Sequence, residues 1–152
     1  KAPGFAVGMA NEDKGASEEL LKEKYAELRM AAAQIKQLQQ QLEAVEEKKQ
    51  ELAAAVSSIE ELKKTGPKAK MLAPVTDGIF AAATLEGGNE LIVNVGSDIC
   101  VKKTANDAVM MLEGKMHELV GFQESILEEL NTLTDQANAL EAELGKMLGE
   151  GA

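Results

Sequence analysis

Few residues of this chain have the types and spacing that chemistry requires. A cysteine nucleophile needs a base within hydrogen-bond reach, and a zinc site needs several Cys, His or carboxylate ligands at short spacing. The sequence has one cysteine, Cys100, and one histidine, His117. Neither has a companion at activating or ligand spacing, so Cys100 reads as a packing residue and His117 as an outward helical position. Gly87-Gly88 is not followed by the Gly-Lys-Ser/Thr of a phosphate loop and reads as a turn. Paired Asp and Glu residues abound, but on exposed helices none is set in an apolar pocket that would tune its pKa for acid–base work. No catalytic, metal or cofactor site is expected, and the chain is not expected to be an enzyme.

Composition narrows the class further. Of 152 residues, 45% are hydrophobic, too many for a wholly disordered chain. Aromatic residues number only three Phe and one Tyr, with no Trp. Ala, Leu, Glu, Lys and Gln dominate, as they do in coiled coils. A net charge of −10 excludes a nucleic-acid role, because phosphate backbones demand clustered Lys and Arg. Lone Cys100 excludes an intrachain disulfide and gives no sign of secretion, so a cytoplasmic location is expected. No run approaches the roughly 18 apolar residues of a membrane span. Residues 1–16 are interrupted by Gly4, Gly8, Glu12 and Asp13 and are too broken for a signal sequence. They are expected to be a disordered or appended leader, with Met9 as the natural start.

The elements that would position any functional residue are two helices. Across 17–64 one apolar row holds Leu21, Leu28, Ile35, Leu42 and Val56, and a second holds Ala31, Leu38, Val45, Leu52 and Ile59. The rows alternate as the a and d positions of a heptad repeat, broken by Lys24 and Lys49. Ser17 is the expected N-cap, and Thr65-Gly66-Pro67 the stop. Across 105–148 the seam reads Val109, Leu112, Met116, Leu119, Ile126, Leu130, Leu133, Ala137, Leu140, Leu144 and Met147, with Gln123 as its one break. Thr104-Ala105-Asn106-Asp107 resembles a capping box. Gly114 and Gly121 fall outside the seam. Two helices of about 45 residues predict an antiparallel hairpin roughly 65 Å long, with 149–152 as a tail.

Between the helices, over 65–104, the apolar period shortens to two. Strands are expected at 71–76, 79–85, 90–95 and 99–103, joined by Asp77-Gly78, Glu86-Gly87-Gly88-Asn89 and Gly96-Ser97-Asp98. Phe80, Ile92 and Cys100 fall on the opposite face from Ile79, Val93 and Val101, so both faces require cover. Four short strands need a covered face to be stable, and open edges invite pairing. Pooling of hairpins from several chains in a barrel satisfies both needs. The expected fold class is therefore α+β: a two-helix antiparallel coiled coil with an inserted four-stranded, two-hairpin region that oligomerises.

This arrangement resembles the prefoldin family, in particular its archaeal alpha class, which has two hairpins where the beta class has one. The resemblance covers residues 17–148. It rests on Pro74-Val75, Gly78-Ile79-Phe80, Ile92-Val93-Asn94-Val95-Gly96 and Val101-Lys102-Lys103-Thr104. Ser97-Asp98-Ile99-Cys100 stands where the family often has glycine and aromatic residues. The resemblance implies a hexamer of two alpha and four beta subunits. It also implies a chaperone that holds unfolded proteins without ATP and passes them to a group II chaperonin.

Two residue sets are expected to act. For assembly they are Ile79, Phe80, Leu91, Ile92, Val93, Val95, Ile99 and Val101. For client binding at the arm end they are the off-seam Leu20, Tyr25, Met30 and Leu148 with the seam residues Leu21, Leu144 and Met147. The second set would equally serve to close the hairpin. Met110, Met111, Val120 and Phe122 are also off-seam, and packing against the sheet or a neighbour accounts for them. The competing reading is a coiled-coil scaffold or adaptor that binds defined partner helices; its heptads would be the same, but it would need no four-stranded insert.

Overall fold

The computed structural model describes the backbone of residues 2–150 and the side chains of residues 15–149. In chain order it comprises helix α1 (Ala2–Lys64), strands β1 (Lys70–Thr76), β2 (Ile79–Thr84), β3 (Glu90–Gly96) and β4 (Ile99–Thr104), and helix α2 (Ala105–Glu150). The chain divides into two compact units. One joins Lys1–Glu43 to Gln123–Ala152, and the other is Ala44–Phe122.

In the first unit the heptad pattern becomes a seam between antiparallel helical segments. Ala31, Leu38, Ile126 and Leu144 are buried, and Leu21, Leu28, Ile35, Leu42, Leu130, Leu133, Ala137, Leu140 and Met147 are half-buried. Lys24 occupies a seam position and reaches Glu143 across it at 2.9 Å. The helix begins at Ala2 rather than at Ser17, so Ser17 is not its cap and residues 2–16 are helical rather than a disordered leader. Ala6, Met9, Ala10, Glu12, Lys14 and Ala16 are helix formers, and their summed propensity outweighs Gly4 and Gly8. The side chains of residues 1–14, and the last two tail residues, lie outside the described residues.

The second unit has the same kind of seam. Val45, Leu52, Ala105, Ala108 and Val109 are buried, with Val56, Ile59, Leu112, Met116 and Leu119 half-buried. Ala105 and Ala108 complete a helical stripe with Val109 and Leu112, spaced i, i+3, i+4, i+7. α1 ends at Lys64, where Thr65 N–H donates to the Leu62 carbonyl at 3.1 Å and the Thr65 hydroxyl donates to the Glu61 carbonyl at 2.9 Å. Thr104 caps α2, its hydroxyl accepting from Asp107 N–H at 3.1 Å.

The strands form two separate antiparallel hairpins, β1–β2 and β3–β4. In the first, Leu72 lies opposite Ala82 and Pro74 opposite Phe80; in the second, Val93 lies opposite Val101 and Asn94 opposite Cys100. Each register shifts at the turn, between Pro74 and Thr76 and between Asn94 and Gly96. Asn94 Oδ1 accepts from Gly96 N–H at 2.9 Å and holds the second bulge. Ser97 and Asp98 both adopt positive φ, 50° and 59°. That is the type I′ geometry of a two-residue hairpin, here without the usual Asn-Gly.

The connection between the hairpins is held against both helix ends. Leu85 N–H donates to the Ala69 carbonyl and its own carbonyl accepts from Lys68 N–H, while Asn89 accepts from Ala105 N–H, all at 2.8–2.9 Å. Lys63 Nζ donates to Asn106 Oδ1 at 2.6 Å and ties the end of α1 to the start of α2. Gly88 is buried beneath this junction, and a Cβ there would fall on the Leu62 carbonyl oxygen. At Gly87 a Cβ would enter open space. Gly88→Ala should therefore destabilise the protein by about 1–3 kcal/mol, the usual cost of overpacking, whereas Gly87→Ala should be nearly neutral. Thermal unfolding of the two variants side by side checks this, and equal melting temperatures would contradict the seat assigned to Gly88.

Candidate functional site

Among the described residues no group of three or more His, Cys, Asp or Glu is placed to hold a metal ion. Cys100 is exposed on β4 rather than packed in a core within this chain, because the hairpin face that carries it is uncovered. No helix, among the described residues, is long and apolar enough to cross a membrane. Two sets of exposed apolar surface, one in each unit, are the candidate functional surfaces.

The hairpins carry the first set. Side chains paired across an antiparallel ladder share a face and alternate along each strand. Leu72 and Phe80 lie on one face of β1–β2, with Met71 on the other, and all three are exposed, as are Val75 and Ile79 near the turn. On β3–β4, Ile92 is 74% exposed on one face, while Leu91, Val93 and Val101 are half-buried on the other. Val95 and Ile99 are exposed near the turn. All eight residues expected to mediate assembly thus sit on hairpin faces and are exposed or half-buried. Met71, Leu72 and Val75, which the sequence reading did not select, are likewise exposed on β1; apolar residues on both faces of that strand were the available signal.

The second set lies on the paired helical segments of the first unit. Leu20, Tyr25, Met30 and Leu148 are exposed, and Leu21 and Met147 half-buried. Leu144 is different. Only 5% exposed, it belongs inside the seam and is not an open contact residue, because the helices stay paired at its level instead of fraying. Leu127 is exposed and was not anticipated. In the second unit Met110 and Phe122 are exposed and Met111 and Val120 half-buried. Phe122 walls a groove of about 420 Å³ with Leu52 and Leu119, flanked by Lys48 and Lys115.

A shallow groove of about 410 Å³ crosses the first unit, lined by Met30, Ala31, Leu133, Ala139 and Leu140 with Glu27 and Glu143 among its polar residues. Lys24 stands beside it. Its hydrogen bond to Glu143, reinforced by that carboxylate's charge, raises the Lys24 pKa above the ordinary 10.5.

This geometry defines a class: a subunit made of paired heptad helices and two hairpins whose apolar faces its own unit leaves exposed or half-buried. Comparison with known proteins supplies the family. The family model for the prefoldin subunit matches residues 31–149. Prefoldin subunit alpha of Methanosarcina acetivorans is 30% identical, with 80% of this chain and 92% of that protein covered. Prefoldin subunit alpha of Thermofilum pendens is 24% identical, with 84% and 97% covered. The chain also superposes on a cryo-EM structure of filamentous PFD from Methanocaldococcus jannaschii with a TM-score of 0.70, at 21% identity, covering 77% of this chain and 97% of that one. The chain belongs to the prefoldin family. Its role is that of a chaperone subunit that assembles with other prefoldin subunits into oligomers. The scaffold alternative is not favoured, since the prefoldin family model matches residues 31–149, the insert included, and the fold is shared with the solved structure.

The Lys24–Glu143 pair gives a signed pH dependence. A lysine whose pKa is raised on folding stabilises fully below its unfolded value, and that contribution disappears as pH rises through the folded value. Native protein should therefore melt slightly above a Glu143→Gln variant from neutral pH to near 10.5, and the gap should close at higher pH. The gap is small, because the pair is partly exposed and screened by salt. Thermal melts across this range check the sign, and a gap that widens with alkali would contradict it.

Proposed function

We propose that this chain is the alpha-class subunit of a cytoplasmic, ATP-independent holding chaperone. It combines with beta-class subunits, two alpha to four beta, and the oligomer holds unfolded proteins and delivers them to a group II chaperonin. The observation that carries the proposal is the pairing, in one chain, of hairpins whose apolar residues are exposed or half-buried on both faces and helices with exposed Leu20, Tyr25, Met30 and Leu148. The hairpin faces suit subunit contacts, since short strands with open edges gain most from pairing with other strands. The helical residues suit client contacts, since each offers a small apolar surface and Met30 adapts to varied shapes. Individual contacts are weak, and several subunits acting on one unfolded chain multiply them.

Two experiments test the two halves. Val93→Asp places a carboxylate on the half-buried face of β3–β4, where desolvation would be costly in an assembled barrel. The oligomer should dissociate while most of the helical circular dichroism remains; an unchanged mass by native mass spectrometry would exclude the hairpin as the assembly element. For client binding, Leu20→Ser alone should weaken suppression of aggregation about two- to threefold, and combined Leu20, Tyr25 and Leu148 substitutions more than about tenfold, as multivalent contacts predict. The assay uses the assembled oligomer, a chemically unfolded test protein and no ATP. Full protection by the combined variant would move client binding elsewhere.

A further inference from the structure

The groove on the first unit has a charge signature that the exposed apolar residues at Leu20 and Leu148 do not explain. It is shallow because the seam is built there from small residues. The antiparallel register marked by Lys24 and Glu143 brings the level of Ala31 on α1 to that of Ala137 on α2, where the other seam positions of this unit carry larger side chains. Ala31 and Ala139 line the floor, Leu133 and Leu140 supply apolar wall, and Met30 stands beside them 65% exposed. A side chain that large and that exposed beside a low apolar floor leaves room for another apolar group.

The ionic residues lining the groove are both acids. Glu143 accepts from Lys24 at 2.9 Å, whereas Glu27 has no ion-pair partner among the described residues. The acid extends beyond the groove: α2 carries ten carboxylates against only Lys115 and Lys146. Glu27 lies in the field of the same Lys24 without pairing with it; a carboxylate so placed retains its capacity to accept from Lys or Arg, and a field of one sign favours ligands of the other. Gln34 and Gln136 also line the groove and offer amide donors and acceptors to a peptide backbone.

We propose that this groove binds short apolar segments of unfolded proteins that carry lysine or arginine on their flanks. The inference rests on the holding-chaperone reading and assigns its client class. Aggregation-prone apolar segments are commonly bordered by charged gatekeeper residues. A groove that is apolar at its floor and acidic at its edge takes those whose gatekeepers are basic and disfavours those whose gatekeepers are acidic. Its volume of about 410 Å³ admits only a few side chains, so each groove binds weakly and selectivity accumulates over several contacts.

The test uses the assembled oligomer of the full-length chain and fluorescent peptides with one apolar centre flanked by Lys, by Glu or by Gln. Anisotropy should rank affinity Lys over Gln over Glu, with about tenfold between the extremes at low salt and a smaller ratio at about 0.5 M salt, where screening is short-ranged. Glu27→Lys should collapse the ranking, and Ala139→Phe should weaken all three peptides by filling the floor. Glu27→Gln provides a milder test should the lysine disturb Lys24. Circular dichroism melts establish that each variant remains paired. Equal affinity for the three peptides, or a ranking untouched by the Glu27 and Ala139 variants, would overturn the inference. So would a photo-crosslink from Ala139 that joins only copies of this chain. If the peptides do not bind while the oligomer still suppresses aggregation of a test protein, the groove assignment falls and the chaperone reading stands. If neither peptide binding nor suppression is seen, the chaperone reading itself falls.

Discussion

Neither helix can bury its apolar stripe alone, and the rest of the structure depends on that constraint. Each stripe is a narrow heptad row, too small to support a globular core but continuous enough to pair with a second row. Pairing removes Leu38, Ile126 and Leu144 from water in one unit and Val45, Leu52 and Val109 in the other. Each large aliphatic residue so buried contributes about 1.5–3 kcal/mol. Those contributions are distributed along the seam, so it tolerates a lysine at 24 and another at 49. It also tolerates stretches of alanine, and there it leaves a groove in place of a ridge.

The hairpins solve a different problem. They have no complementary layer within their own unit that buries them, so their apolar residues stay exposed or half-buried. What the chain supplies is an anchor. Gly88 lies against the Leu62 carbonyl, Asn89 accepts from Ala105, and Lys63 reaches Asn106, so the loop between the hairpins is held to the end of α1 and the start of α2. These few contacts fix where the strands begin while leaving their faces available.

Charge divides the surface further. Carboxylates crowd α2, and Lys24 reaches across the seam to Glu143, using one of them to bridge the two helices. The same carboxylates that keep the exposed faces soluble by mutual repulsion also give the apolar openings on these helices a sign.

Heptad spacing, the shift to a period of two, and the Gly, Pro and Asn punctuation determined the order of elements, because each depends on local backbone geometry and one-dimensional pattern. The two seams, the hairpin pairings, the stop at Thr65 and the cap at Thr104 were legible for that reason. The start of α1 was not: local propensity carries the helix to Ala2 past a plausible cap at Ser17, and a cap signal alone cannot stop a helix whose preceding residues also favour it. Leu144 was misjudged because whether a seam residue near a helix end is covered depends on its partner segment. Tertiary structure alone decided that Gly88 must be glycine, since only the approach of α1 makes a side chain there impossible. It alone revealed the acidic groove, whose lining comes from residues a hundred positions apart in sequence brought together by antiparallel pairing.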